Sequence, residues 1–477
     1  MRFGLVTVAV LMQFTSFGQN SIGWQAPHRV ADQTYGNLHP RIKLDRNNNP
    51  MVVWGDDAGK IYFTKWGGEG FANPTPLNPP GNYAFTSSWS GPDIASQGDT
   101  VYIVWKQIPE DKSRIYIKHS FDGGKKFSAS AEVDTAGEYT TRFPTVTTDE
   151  TGNPFVTYQK TPKDYSGSMY VVARSQDMGE TFFRDTPASV NSGGNVCECS
   201  PASIVASGNA GILLYRNNSN GLRNIWAGIS INGSKSFHTS LRLDSTDYAP
   251  ANCPASSPSG VIVGDTLYST FMSSVLEHGT VYLSRMSLSH PTISTAPLTG
   301  EITGVTTQNF PRMAGNGYAC AVVWTQTAGG NNQVCMAFTP DVTYGFMRGI
   351  DTVAEGVMIN ADVAIGGGNI FIVWEDQVNR CVMFRKGVYY KKSGVVENTS
   401  IIIDPPSKGQ KYFTIKMKGI LSCTLTDVKG SEVEADISYP SNKEICKVSL
   451  EDFDPGKYSV KVFDEQGRIY NAQLLVE

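Results

Sequence analysis

From residue 39 onward, short apolar runs alternate with turn-rich polar stretches, and the alternation carries a long period. One segment recurs seven times: a proline or its equivalent, an apolar strand, a turn, and a second strand ending in an aromatic residue. The copies begin at Pro40, Pro92, Pro144, Pro201, Pro254, Pro311 and Ala361, and their second strands end at Trp54, Trp105, Tyr158, Tyr215, Phe271, Trp324 and Trp374. A step of 50–57 residues holds four strands and their turns, the size of one blade of a β-propeller. The last copy supplies only three strands before Tyr390. Trp24–Asp32 has the pattern of the fourth strand in other copies, such as Phe127–Asp134. The expected fold is therefore all-β: a seven-bladed propeller over residues 19–393, closed by an N-terminal strand that removes exposed sheet edges. Six blades is the alternative if one weak copy is not a blade.

A second element sits between copies. Ser175-Gln176-Asp177-Met178-Gly179-Glu180-Thr181-Phe182 fits the Asp-box pattern S-x-D-x-G-x-T-[FW] at every defined position. Ser120, Asp122, Gly124 and Phe127 form a second copy with Lys126 in place of Thr, and Ser230, Asn232 and Phe237 form a weaker third. The expected role is structural. The Asp or Asn side chain accepts backbone N–H bonds, Gly supplies positive φ, and the aromatic residue fills the space between blades.

Composition narrows the compartment more than the chemistry. Only 18% of the 477 residues are charged and the net charge is −4, with no Lys/Arg run, so nucleic acid and anionic membranes are not expected partners. Arg2, the apolar stretch Phe3–Met12 and the small and polar residues after it read as a signal peptide over residues 1–18, and no later stretch is long enough to span a membrane. All eight cysteines lie beyond residue 190, an even number suited to an oxidising compartment. Cys320 and Cys335 flank a Gly-Gly turn and are candidates to pair across adjacent strands. Cys423 and Cys446 are candidates within the C-terminal segment, and Cys197, Cys199 and Cys253 in loops of neighbouring blades. No Cys/His spacing suits a metal, Asp45–Asn49 reads as a hairpin turn rather than a calcium loop, and no cofactor is expected.

After Lys392 the repeat stops, and residues 397–477 read as a small Ig-like β-sandwich. Gly456-Lys457-Tyr458-Ser459-Val460-Lys461-Val462, with Leu474-Leu475-Val476 beyond it, resembles the core of the type A sorting domain of the Gram-negative type IX secretion system, although Asp404-Pro405-Pro406 stands where Asn-Pro is usual. The resemblance implies passage across the outer membrane by that machinery, and release or attachment at the cell surface.

In a propeller, the connections into each first strand and out of each second strand open on one face. That loop face is expected to present Arg41, Asp93, Arg142, Glu198, Arg312 and Asp362 from the first set, and Asp56, Asp57, Lys106, Lys160, Arg216, Glu375 and Asp376 from the second. The repeat resembles the sialidase-like (BNR-repeat) superfamily across residues 20–393. For a sialidase the resemblance implies three arginines clamping a carboxylate, with Arg216, Arg142 and Arg312 in comparable contexts and Glu198 as partner of a nucleophilic tyrosine. No tyrosine or acid/base aspartate stands in a matching context. Arg41, Asp56, Asp93, Asp362, Glu375 and Asp376 are then candidate ligand contacts. Three functions are open: a surface propeller binding a glycan or protein, an exo-sialidase-type glycoside hydrolase, or a structural or adhesive surface component.

Overall fold

A computed structural model of the protein describes residues 22–389 apart from 33–35, 136, 165–166, 253, 277, 301 and 347–348. Beyond 389 it describes residues 399–400, 403–404, 410–416, 420–428, 432–438, 446–451, 453–464 and 469–476. The expected signal peptide and Cys253 lie outside the described residues. The chain divides into two compact units, Gly23–Gly387 and a second that contains Val388–Glu477. Among the described residues the only helical segment is a 3-10 turn at Val342–Tyr344, and no helix is long and apolar enough to cross a membrane.

The first unit is built of four-stranded antiparallel sheets in succession, an arrangement consistent with a β-propeller. We number seven sheets in chain order by their first strands: Leu38–Leu44, Asp93–Gln97, Tyr139–Thr148, Ser203–Ser207, Ser259–Val263, Val305–Asn316 and Met358–Gly366. Each first strand lies against the first strand of the next sheet, and that of sheet 7 lies against that of sheet 1. Sheet 7 takes three strands from residues 358–388, and its outer positions are filled by Gly23–Trp24 and His28–Arg29, both paired with Cys381–Val388. The register His28↔Phe384 brings His28 onto Trp66, Phe71 and Phe384, and Val30 is buried in the same core.

The repeat positions explain the packing. The repeat's aromatic residue in each second strand (Trp54, Trp105, Tyr158, Tyr215, Phe271, Trp324, Trp374) is almost completely buried. Burying such a ring contributes about 2–3 kcal/mol. The Asp-box hairpins form as their chemistry requires. The Ser175 hydroxyl donates to Asp177 Oδ1 at 2.7 Å and accepts the Gly179 N–H at 2.8 Å, while Asp177 Oδ1 accepts the Thr181 N–H at 2.9 Å. Ser120–Asp122 and Ser230–Asn232 repeat the motif. Gly124 has φ +84°, and a Cβ there would fall 2.3 Å from the Phe63 ring of the preceding sheet. Phe127, Phe182 and Phe237 each pack into the apolar layer shared with the preceding sheet.

The second unit contains two sheets that share one apolar core. One holds Ile420–Asp427, Gly456–Asp464 and Ile469–Val476 at its centre, and the other Tyr412–Ile415 and Cys446–Ser449. Phe413, Leu425, Val448, Val460 and Leu474 meet between them, and the Tyr458 hydroxyl donates to the Asp454 carbonyl at 2.9 Å.

Candidate functional site

The first strands of sheets 1, 3, 6 and 7 share a local distortion at one repeat position. His39, Phe143, Phe310 and Asn360 have φ of 57°, 53°, 53° and 55°, and each strand breaks register there. Left-handed backbone at a non-glycine residue costs on the order of 1–3 kcal/mol, and a bulge re-aims the side chains just beyond it. Two positions further along stand Arg41, Thr145, Arg312 and Asp362, to which sheet 2 adds Asp93.

These side chains tie neighbouring sheets together. Asp362 Oδ2 accepts the Ile42 N–H at 3.0 Å, Asp93 Oδ2 accepts the Val146 N–H at 2.9 Å, and the Ser259 hydroxyl accepts the Met313 N–H at 3.0 Å. Arg312 Nε lies 3.2 Å from Asp362 Oδ1, and Arg41 donates to its neighbour Pro40 O at 2.8 Å. The charges are tightly coupled. Burial lowers Arg41 to about 10, helped by the cation on Arg312 and opposed by Asp362 and Asp93. Burial works against an ionised Asp362 too, but Arg312, Arg41 and Lys43 outweigh it and hold its pKa below the usual value. The four predicted residues Arg41, Asp93, Arg312 and Asp362 thus form one charged partition across the channel.

On the loop side of this partition the side chains crowd together. A cavity of only about 20 Å³ remains among His39, Arg41, Trp89, Phe310 and Arg312. The connection carrying Trp89 is fastened by Ala84 N–H to Gly59 O at 2.8 Å, Phe85 N–H to Lys106 O at 2.7 Å and Ile108 N–H to Tyr83 O at 2.8 Å. Gly91 permits the approach, since a Cβ there would stand 2.8 Å from His39 Cβ. Burial, then Arg41 and Arg312, pushes His39 well below the usual histidine value, so its ring is neutral, and Nδ1 is buried with no hydrogen-bond partner. Glu375 accepts from Asn360 Nδ2 at 3.0 Å and from the His39 N–H at 3.5 Å, yet burial raises its pKa.

The other predicted residues have separate employment. Arg142 makes a two-point pair with Glu110 (3.2 and 3.0 Å). Arg216 is fully buried, donating to Arg223 O at 2.7 Å and to Met272 O of sheet 5 at 2.8 Å. The sequence pattern places it on the loop face, but like Lys106 and Glu375, which also follow a second-strand aromatic, it is buried, here in the interface with sheet 5. Arg142, Arg216 and Arg312 therefore have three different sets of partners. Glu198 is exposed. Asp56 and Asp376 cap their own turns, through the Lys60 N–H at 2.8 Å and the Asn379 N–H at 2.9 Å, and Asp57 pairs with Arg380. Lys106 donates to Ser113 O and Thr141, and Lys160 pairs with Asp185 at 2.9 Å beneath the Tyr139 ring.

The cysteine expectations need correction. Cys320, Cys335, Cys381, Cys423 and Cys446 are buried free thiols. Cys320 and Cys335 do lie on adjacent strands, but Cys320 faces Thr339 and Cys335 faces Trp324, four positions out of register. Cys423 and Cys446 share a core from opposite sheets without being bonded. Cys197 and Cys199 are not among the free thiols. Among the described residues no cluster of His, Cys, Asp or Glu is arranged to hold a metal.

Sequence reasoning missed His39, Trp89, Thr145 and Ser259. The first strand's proline was the available signal for the ring positions, since the residue after it (after its equivalent Ala361 in sheet 7) is Arg41, Asp93, Thr145, Arg312 and Asp362 in sheets 1, 2, 3, 6 and 7. Trp89 lies in a connection with no repeat counterpart.

No protein-family model matches the sequence, and no curated protein matches it. Among solved structures the chain is similar to an α-L-arabinofuranosidase from Fusarium graminearum (13% identity, TM-score 0.44, covering 68% of this chain and 99% of that one). It is also similar to an α-L-arabinanase from Penicillium chrysogenum (12%, 0.44, 68% and 99%) and a leech intramolecular trans-sialidase (9%, 0.43, 71% and 82%).

Proposed function

We propose that this chain is an exported surface propeller of seven blades, closed by its N-terminal strand, that binds glycan or glycan-bearing protein through its loop face. The carrying observation is a set of anchored aromatic rings left open to solvent there. Tyr83, Trp89 and Tyr139 are 51%, 40% and 42% exposed, beside the Arg142–Glu110 pair and Lys160. Rings held by short, bonded connections lose little entropy on binding, and they offer flat apolar faces with polar groups alongside, the surface a pyranose needs. A cavity of about 20 Å³ under Trp89 is too small to enclose a sugar, so recognition is across the surface. One observation favours the second reading, a glycoside hydrolase: burial raises the pKa of Glu375, the direction a general acid requires.

Export rests on the signal-peptide pattern and on the C-terminal unit, whose two sheets with one core support an Ig-like sorting domain. We infer a disulfide that takes up Cys197 and Cys199, neither of which is a free thiol, in a loop that the Ser200 hydroxyl ties to the Pro254 carbonyl.

The test is a glycan array and a fluorogenic glycoside panel with the secreted chain. Binding without turnover, weakened at least about ten-fold by Trp89→Ala, is expected. Turnover abolished by Glu375→Gln would replace this reading with the hydrolase. Unchanged binding in Trp89→Ala and Tyr83→Ala would remove the loop face as the site.

A further inference from the structure

Below the charged partition the channel opens again. A cavity of about 450 Å³ is lined by all seven first strands and runs from Asp93 and Arg312 down to the hairpin tips at Asn48 and Asn316, on the face opposite the loops. We propose that this well is a binding site for a small hydroxylated carboxylate, of the uronic or aldonic acid class, entering from the hairpin face.

The charge count points to an anion. Three cations (Arg41, Arg312 and Lys43) meet two carboxylates (Asp93 and Asp362), and each carboxylate already spends one oxygen on a backbone N–H. Arg312 pairs with Asp362, whereas Lys43 has no such partner among the described residues and lines the open well. An ammonium that lacks a contact ion pair and stands between low-dielectric walls attracts an anion more strongly than a surface lysine does. Hydroxyls supply the second half of the recognition. Thr147 and Ser203 line the same well. The volume lies in the range of small-molecule sites. The remaining wall is small and apolar, Ala95 and Ala314 among it, which leaves space rather than filling it.

The site is distinct from the loop face and is tested separately, by titration calorimetry of the secreted chain with glucuronate, gluconate, inorganic phosphate and glucose. Glucuronate or gluconate is expected to bind with an affinity that falls as salt rises, with glucose and phosphate at least about ten-fold weaker. Lys43→Met should weaken carboxylate binding at least about ten-fold and Lys43→Arg should retain it, with thermal melting confirming that both fold. Thr147→Val, which keeps shape and removes the hydroxyl, should weaken it several-fold. No binding up to about 10 mM, equal binding by Lys43→Met, or equal binding of glucose would overturn the proposal. Phosphate binding as tight as glucuronate would overturn the assigned ligand class.

Discussion

The charged partition makes a quantitative demand on stability, and Asp362→Ala is the sharpest way to test it. Asp362 is 3% exposed and holds two partners: the Arg312 guanidinium at 3.2 Å and the Ile42 N–H at 3.0 Å. Removing it leaves a buried cation without its counter-ion and a backbone donor of sheet 1 without its acceptor. Breaking one partner of a buried ion pair costs about 3–5 kcal/mol, and an unmet donor about 1–3 kcal/mol. The two overlap at one site, so we expect about 3–5 kcal/mol in total. Arg312→Met combined with Asp362→Ala should cost less than Asp362→Ala alone, because no stranded guanidinium remains at that position.

Urea unfolding read by tryptophan fluorescence reports on the right unit, since all eight tryptophans lie between Trp24 and Trp374. The pH dependence carries the same signature. Asp362 has a pKa held below its ordinary value of 3.8, so its contribution is complete above that value and fades as pH falls through the depressed one. The gap between wild type and Asp362→Ala should be constant from about pH 5 to 8 and narrow below about pH 4. A cost under about 1 kcal/mol, or a double variant no more stable than the single, would refute the reading of these residues as a coupled buried partition.

Three further outcomes are expected. Asp177→Ala removes the acceptor for the Thr181 N–H and hydroxyl, whose bonds hold Asp177 at about 2, and should cost about 1–2 kcal/mol by urea unfolding without altering ligand binding. Deleting residues 19–30 removes the bonds Gln25 N–H to Lys386 O and Val30 N–H to Val382 O together with buried Val30, and should cost about 3 kcal/mol or more. Retained stability in that truncation would show that the N-terminal strands do not close sheet 7. Lys106 is lowered by burial to about 8, so between that pH and the ordinary lysine range the unfolded chain binds the extra proton. Stability should therefore rise with pH there, and Lys106→Met should flatten the rise in a pH series of urea midpoints.

How far the fold could be read from residues alone depended on how local each constraint is. The second-strand aromatics, the Asp-box hairpins and the completion of sheet 7 by Trp24 and His28 were legible because each repeats within one blade's length of chain. The candidate site was legible only where a local marker aimed the side chain. Arg41, Arg312 and Asp362 stand just past a bulged first-strand position and do meet. Arg216, which looked equivalent to residues just past the second strand, is buried, as Lys106 and Glu375 are at the same position, because each second strand continues past its aromatic. A strand's length is set by the pairing partner, which single-sequence spacing does not contain. Cys320 and Cys335 fail for the related reason that a hairpin's register decides which residues face each other.

The pairings hardest to foresee are those across the ring, such as Asp362 with Ile42, separated by 320 residues. They also carry the functional argument. A residue placed just after the first-strand proline has its side chain in the channel and its neighbours' backbone within reach, so the same position that joins one sheet to the next also decides what fills the centre. Where it is Asp or Thr the side chain is consumed by the next strand, as at Asp93 and Thr145. Where it is Arg the partner differs: Arg312 pairs with the Asp362 side chain of the next sheet, and Arg41 donates to its own neighbour Pro40 O. Two arginines and two aspartates at this one repeat position therefore stand between a small cavity of about 20 Å³ on the loop side and a larger one of about 450 Å³ on the hairpin side.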